Sequence, residues 1–354
     1  MNSSKEQYLL RNLQHQSRII IKELIMSRAE TKAARLRIIE DLLLAHPEGL
    51  TQAEFARKLE VNRSTVNRYI PDLPPHIYID DMDGYRWKID RQAYLINVHF
   101  NLNEAMAVHL ATRLFATRMD RKNIHAATAL HKLGLSLQTL APKISLYIAR
   151  SAEWMDSAQK KHDPVYLQAL EKLTLAWAEG KKVEVWHRSD KDQEIKTYVF
   201  SPYYIEPYAI GQSTYAFGYR EPPGEIRTFK IERIERVEIL REIYRIPENF
   251  DPFEMLSEAW GIWFKEGKPE QVTLKFHPRA AHRVGETRWH QSEQVEILED
   301  GYLLWRALID EPREMLPWVR GWGSDVEVIE PQWMREEVSE DVLRLASLYQ
   351  KSLK

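Results

Sequence analysis

Residues 51–71, TQAEFARKLEVNRSTVNRYIP, constrain this chain more than any other stretch. They contain two short helical patterns joined by a tight turn. In the first, over 52–59, Ala53, Phe55, Ala56 and Leu59 make the apolar side. Thr51 stands where an N-cap belongs, and Glu54 stands three residues on, where a capping box needs its acid. Glu60, Val61 and Asn62 form the turn. The second pattern begins near Arg63 and stops at Pro71, because proline cannot continue a helix interior. Val66 and Ile70, four apart, are expected to face inward. That leaves Arg63, Ser64, Thr65, Asn67 and Arg68 outward, side chains of the kind that meet phosphates and base edges in a major groove. Next comes HIYIDD, a turn at Met82-Asp83-Gly84, and YRWKID, which predicts a hairpin.

A helix, a two-helix unit and a hairpin, in that order, predict a winged helix-turn-helix, whose second helix enters the groove. The competing reading is an ordinary helical hairpin with a solvated polar face. Charge does not decide between them. Residues 1–90 carry 14 Lys plus Arg against 13 Asp plus Glu, a net of +1, so a strong electrostatic footprint is absent. The positive charge is local, at Arg57, Lys58, Arg63 and Arg68, with Arg86 on the hairpin. Asp80, Asp81 and Asp83 put acid at the wing tip. The candidate DNA-binding residues are therefore Arg57, Lys58, Arg63, Ser64, Thr65, Asn67, Arg68 and Arg86.

At 354 residues the chain is too long for one typical domain. Apolar residues are 44% and charged residues 29%, which suits a globular protein with several cores, and the net charge of −2 excludes a polycation. With no cysteine, disulfides and thiolate metal sites are excluded, and a reducing compartment is compatible. No apolar run approaches a membrane span, and the N-terminus lacks the apolar core of a signal peptide. A cytoplasmic protein with no membrane partner is expected.

Taken in order, residues 1–30 read as a helical extension, with Leu9, Leu10, Leu13, Ile20, Ile21, Leu24 and Ile25. The DNA-binding module is expected over 31–92, opening with a helix at 32–45. A helical linker follows over 93–160. Its first helix is expected to turn Ala105, Val108, Leu110, Ala111, Leu114 and Phe115 inward. His125 and His131 lie six apart, which is no helical metal spacing, so no metal is expected. A helix at 164–180 ends at Gly180, a C-cap candidate. The period then changes to two: KKVEVWHR, KTYVFSPYYIEPYA, STYAFGYR and IRTFKIERIERVEIL predict a small barrel or rolled sheet within 161–250. Residues 251–269 connect it to a last domain over 270–354, whose βαββαβ order predicts a ferredoxin-like α/β sandwich.

The chain lacks G-x-x-x-x-G-K-[ST], G-x-G-x-x-G after a strand, H-E-x-x-H and G-x-S-x-G. No catalytic constellation and no cofactor are expected.

The C-terminal two-thirds resemble a WYL-domain transcriptional regulator. The resemblance rests on Ser201-Pro202-Tyr203, on Thr214-Tyr215-Ala216 with Gly218-Tyr219, and above all on Arg227-Thr228-Phe229-Lys230-Ile231-Glu232-Arg233-Ile234. It continues through Val272 to His277, Asp300-Gly301, Trp318 to Gly323 and Val326 to Pro331. Of the name-giving tripeptide only Tyr215 survives, between Thr214 and Ala216. The resemblance implies an α+β multidomain chain: winged helix-turn-helix, helical linker, Sm-like small β-barrel and ferredoxin-like C-terminal extension. It also implies a ligand-sensing barrel, a homodimer and double-stranded operator DNA as partner. Trp318 and Trp322 are expected near the dimer interface.

By period two, Arg227, Phe229, Ile231 and Arg233 share a strand face. Two guanidiniums beside an aromatic suit a planar anion, through bidentate phosphate contacts and stacking. Equally, Phe229 and Ile231 are core and the arginines pair with carboxylates such as Glu206 or Glu232. The family resemblance favours the first reading. The candidate ligand-binding residues are Tyr203, Tyr215, Arg220, Arg227, Phe229 and Arg233, with His187 and Arg188 at the end of the first barrel strand. The expected ligand is a nucleotide, another small anion or a single-stranded nucleic acid. The expected function is sequence-specific regulation of transcription, as a repressor. The alternative is a WYL module that controls an enzyme or a defence complex by protein contact.

Overall fold

The computed structural model describes residues 32–96, 98–157, 161–190, 193–208, 211–265 and 267–351. The helical extension expected over 1–30 lies outside them.

Helix α1 (Lys32–Leu44) stops before Pro47. In α2 (Gln52–Lys58) the Thr51 side chain accepts from the Glu54 N–H, and Glu54 accepts from the Thr51 backbone at 2.8 Å, the reciprocal box that its sequence predicts. Helix α3 (Arg63–Asn67) is only five residues long. The chain then tightens into a 3₁₀ turn at Ile70–Asp72. This corrects the sequence reading. Val66 is buried, but the second inward position is Tyr69, and Ile70 is only partly covered. Pro71 explains the change. It disfavours α geometry at Ile70 and removes an N–H, so the last turn winds at three residues and shifts the inward place from i+4 to i+3. Strands β1 (Ile77–Asp80) and β2 (Arg86–Ile89) pair antiparallel, and Leu50 adds a bridge to Trp87 from the other side. Ile39, Leu43, Phe55, Val66, Ile77 and Trp87 close one core beneath these elements.

Helices α4 (Leu102–Arg118), α5 (Ile124–Ser136) and α6 (Pro142–Ser157) follow. The inward stripe expected of α4 is not observed. Ala105 is buried and Phe115 partly so, whereas Val108, Leu110, Ala111 and Leu114 are exposed. The helix is apolar on two sides, and only the side of Ala105, His109 and Ala116 is turned toward neighbours. The core of this region comes instead from Ala127, Leu130, Ile148, Ala152 and Met155 on α5 and α6.

Helix α7 (Pro164–Glu179) is capped by Asp163 and ends at Gly180, whose φ of +63° is the left-handed conformation that glycine adopts without penalty. Five strands come next: β3 (Lys181–Arg188), β4 (Ile195–Tyr208), β5 (Ser213–Glu221), β6 (Glu225–Lys230) and β7 (Ile234–Ile243). Their order is β6-β5-β4-β3-β7, so the two edge strands are consecutive in sequence, joined through a 3₁₀ turn at Ile231–Arg233. Val183, Val185, Phe200, Ala216, Phe229, Ile231 and Leu173 of α7 fill the space between helix and sheet. Gly218 has to be glycine, because a Cβ there would collide with the Ser201 carbonyl and the Phe200 ring.

These elements make one unit, of residues up to 205 together with 215–245. Residues 206–214 and those from 246 onward make a second. In the second, after α8 (Pro252–Met255), come β8 (Glu270–Phe276), α9 (Pro278–Gly285), β9 (Gln294–Ile297), β10 (Leu303–Ile309), α10 (Leu316–Gly321), β11 (Val326–Glu330) and α11 (Gln332–Lys351). The sheet order is β11-β8-β10-β9. Trp305 is fully buried, with Trp260, Trp289, Trp318 and Trp322 gathered around it and Phe276. Trp318 and Trp322 pack against this core and stay partly buried, as expected. The buried Glu314 carboxylate accepts from the backbone N–H groups of Gly261, Ile262 and Trp263 at 2.9, 2.9 and 3.1 Å, which fixes the connector. Charge-assisted bonds of this kind are about twice as strong as neutral ones.

Candidate nucleic-acid and ligand sites

Beginning with the N-terminal module, burying Val66 and Tyr69 leaves Arg63, Ser64, Asn67 and Arg68 exposed and Thr65 half-buried. Arg57 and Lys58, at the end of α2, are exposed as well. Asn67 receives a hydrogen bond from the Gln52 side-chain amide, which ties α3 to α2. Arg68 reaches back toward the Thr65 hydroxyl at 3.5 Å. Among the described residues no ion pair engages Lys58, Arg63 or Arg68.

Arg86 is different. Its guanidinium donates to the Gly49 carbonyl at 2.9 Å and to Glu54 at 3.3 Å, so it ties the hairpin to the start of α2. Glu54 is held below the usual carboxylate range, first by its bonds from Thr51 and then by the Arg86 and Arg57 charges. The acid of the wing tip is also partly neutralised. Lys88 donates to Asp80 at 2.9 Å and to Asp83 at 2.8 Å, while Asp81 stays exposed. Sequence reasoning missed Lys88. Its signal was available, since it stands directly across from Tyr78 and two residues from the strand position that faces Asp80.

The sheet of the second module divides the remaining candidates between two faces. Residues opposite one another in an antiparallel pair share a face. Phe229 lies across from Ala216 and Arg227 across from Gly218, whereas Tyr215 lies across from Lys230. Tyr215 is therefore not on the face of Phe229 and Arg227. Tyr203 is buried against Tyr244 at 5.6 Å. The run Arg227-Phe229-Ile231-Arg233 does not keep one face either, because the strand ends at Lys230 and the 3₁₀ turn resets the period. Phe229 and Ile231 are core. Arg227 pairs with Glu225 at 2.8 Å, Arg233 with Asp190 at 2.6 Å, and Arg220 also with Glu225. Glu225 and Asp190 are thus carboxylate partners of these arginines. Arg188 pairs with Glu235 at 2.8 Å.

What the fold does bring together is a cluster of rings with the Arg220 guanidinium over one of them. Phe229 contacts His187 at 4.9 Å, Tyr198 at 5.5 Å and Phe200 at 5.0 Å between centroids. Arg220 lies over the Tyr198 ring at 5.0 Å. The Arg233 charge also acts on His187. Tyr198 was not singled out from the sequence, although it alternates with Phe200 along β4 and so belongs to the same face. Burial pushes the His187 imidazole down to about 4, and the Arg233 charge adds to the shift. A bond to the Lys230 backbone opposes it. Nε2 of His187 is buried without a hydrogen-bond partner among the described residues. The neutral imidazole adds no charge, and the Arg220 and Arg233 guanidiniums are each paired with a carboxylate. Among the described residues no group of His, Asp or Glu is placed to hold a metal ion, and no helix is long and apolar enough to cross a membrane.

The model of the WYL domain matches residues 168–239, which span α7 and the five strands up to the middle of β7. Residues 168–239 thus carry a WYL domain. A WCX domain model matches residues 268–346, the last sheet and its helices. The chain is also similar to YobV of Bacillus subtilis (strain 168), described as an uncharacterized HTH-type transcriptional regulator, at 22% identity over 153 residues, 41% of this chain and 46% of that one. Among solved structures it resembles the proteasome accessory factor B/C of Arthrobacter aurescens, at 18% identity and a TM-score of 0.30, over 88% of this chain and 49% of that one. A CRISPR Cas-related protein aligns at 10% identity and a TM-score of 0.38, over 53% of this chain and 52% of that one. The chain thus spans about half the length of the relatives it matches. Within the WYL domain, the positions that flank the surviving Tyr215 are buried Thr214 and Ala216.

His187 gives a direct test of the ring stack. Its folded value lies below the ordinary 6.5, so the folded state resists protonation that the unfolded chain accepts. Stability is then full above about pH 6.5 and declines as pH falls toward 4. In a two-dimensional NMR titration the His187 imidazole should stay neutral through pH 5.5. A midpoint near 6.5 would mean that the ring is not buried on Phe229.

Proposed function

We propose that this WYL-domain protein is a DNA-binding transcriptional regulator, in which a winged helix-turn-helix reads the operator and an Sm-like barrel senses an anionic ligand. The observation that carries the first half is the exposed set Arg63, Ser64, Asn67 and Arg68 on a helix held by a capped neighbour and a bridged hairpin. Thr65 sits half-buried in the same turn, and Arg57 and Lys58 extend the positive edge toward the phosphates. Arg86 contributes by fixing the hairpin. The relative's description as an HTH-type transcriptional regulator supports the same reading. The functional unit is a homodimer on an inverted repeat, since two-fold protein symmetry is matched by operator symmetry. Its regulatory sign is repression.

For the barrel, the ligand is a planar anion: a nucleotide or a short single strand. Arg220 and Arg233 flank the Tyr198–Phe229–His187 stack, with Arg227 at the rim. Arg227 and Arg188 are paired at the surface, where an ion pair contributes little, so a phosphate can displace Glu225 or Glu235 at little cost. Tyr203 and Tyr215, on other surfaces, act by supporting the sheet.

Both halves are open to experiment. Replacing Arg63 and Arg68 together by Ala should weaken binding to the protein's own promoter fragment about tenfold or more at moderate salt, each base contact being worth about 1–3 kcal/mol. Wild-type affinity in that double variant would refute the DNA-contact assignment. In a thermal-shift screen, nucleoside monophosphates or a short oligonucleotide should raise the melting temperature of the wild type. The same compounds should leave Arg220→Ala/Arg233→Ala unmoved. Equal shifts in both proteins would remove the ligand from this face.

A further inference from the structure

Helix α7 packs one side on the sheet and leaves the other side in a cleft. Tyr166, Ala169, Leu173 and Ala176 are buried against the strands. Leu170, Thr174, Leu175 and Ala178 instead line a cleft of about 600 Å³. The facing wall comes from Arg91 and Gln92, which follow the hairpin, and from Asn123 and His125 at the start of α5. The hairpin stands near the C-terminal end of α7. Burial first, and then the Glu179 charge in the last turn of that helix, raises the Tyr78 hydroxyl of β1 above its ordinary value. The cleft volume falls within the roughly 300–1,000 Å³ of small-molecule sites, which pair an apolar lining with a few polar groups.

The polar groups of the cleft are unequally satisfied. Glu171 is held by His125 Nε2 at 2.6 Å. The Thr174 hydroxyl donates to the Leu170 carbonyl at 2.7 Å. Asn123 caps α5 with its amide oxygen, which accepts from the N–H groups of His125 and Ala126 at 3.0 and 3.3 Å. Its amide NH₂ has no partner among the described residues. Arg91 donates to the Leu44 carbonyl at 2.8 Å, and no carboxylate pairs with it among the described residues. The charge left without a counterpart is therefore positive, and it stands opposite an apolar wall. We propose that this cleft binds a small amphipathic monocarboxylate, its acid on Arg91 and its hydrocarbon body along Leu170, Leu175 and Ala178. A guanidinium receives a carboxylate through two parallel N–H···O bonds, which are stronger than neutral ones. The Asn123 amide adds a donor. Glu171 in the same cleft disfavours a dianion such as a phosphate monoester, because like charges repel. The site is separate from the ring cluster of the sheet and from whatever binds there. Its walls belong to the N-terminal module, the linker and the WYL domain. An occupant therefore favours the arrangement of these parts that has this spacing, which makes the cleft an effector site.

Octanoate and octan-1-ol form a matched pair, one charged and one neutral. In isothermal titration calorimetry of the full-length chain, octanoate should bind one-to-one. Octan-1-ol should bind at least about tenfold more weakly, since hydrogen bonds between charged groups are the strong ones. Ala178→Trp adds bulk at an exposed position of α7. It should abolish octanoate binding while the melting temperature of the free protein stays that of the wild type. Arg91→Gln should weaken octanoate by a similar factor and leave octan-1-ol unchanged. Should Arg91→Gln fail to fold through loss of its bond to Leu44, Ala178→Trp and the comparison with octan-1-ol still decide. Equal affinity of the wild type for both compounds would overturn the site, and so would undiminished octanoate binding in Ala178→Trp. Octanoate that fails to saturate the wild type, the result if residues 1–31 or a second copy fill the cleft, would overturn it as well. All of these outcomes are read without DNA, so the operator reading stands or falls separately.

Discussion

The two backbone hydrogen bonds between Leu50 and Trp87 set the geometry of the proposed DNA-contacting surface. Leu50 N–H donates to the Trp87 carbonyl at 3.0 Å, and Trp87 N–H donates to Leu50 at 2.8 Å. They anchor the residue just before the Thr51 cap to the middle of the hairpin. Each such bond contributes only about 1 kcal/mol. Trp87, which they hold in place, buries on the order of 200 Å², worth about 5 kcal/mol at roughly 25 cal/mol per Å². With that indole seated, Arg86 on its neighbouring position reaches Gly49 and Glu54, and Lys88 reaches the wing aspartates. Removing the bridge would free the start of α2 and, through Gln52 and Asn67, the placement of α3.

Electrostatics divide the cationic residues by role. Arg86 and Lys88 are half-buried or buried and each is satisfied by two partners, so they hold structure. Arg63, Lys58 and Arg68 are outside and unpaired among the described residues. In the WYL domain the division is less sharp. Arg220 and Arg233 are partly covered, paired with carboxylates, and stacked on or near aromatic rings.

Much of the architecture was legible in the sequence. The capping box at Thr51 and Glu54, the hairpin around Gly84, the C-cap at Gly180 and the βαββαβ order of the last domain are local patterns, and local patterns survive folding. The errors arose where a period was broken or two-sided. Pro71 tightened the turn after α3 and put Tyr69 in the place expected of Ile70. The 3₁₀ turn at Ile231–Arg233 cut the strand on which Arg227 and Arg233 were expected to share a face. The register of β5 against β6 then placed Tyr215 on the face of Lys230, away from Phe229. Register depends on hairpin geometry at residues 222–224 and cannot be read from alternation alone. On α4 the apolar residues outnumbered what one inward face could take, and periodicity did not say which face was used.

The central claim is that residues 63–68 read a sequence as part of a two-fold assembly. In vitro selection from a random duplex library tests it most directly, with the full-length chain at physiological salt. An enriched inverted repeat, its half-sites a whole number of helical turns apart, is the expected result. Recovered duplexes with no common motif, or a motif without two-fold symmetry, would contradict it.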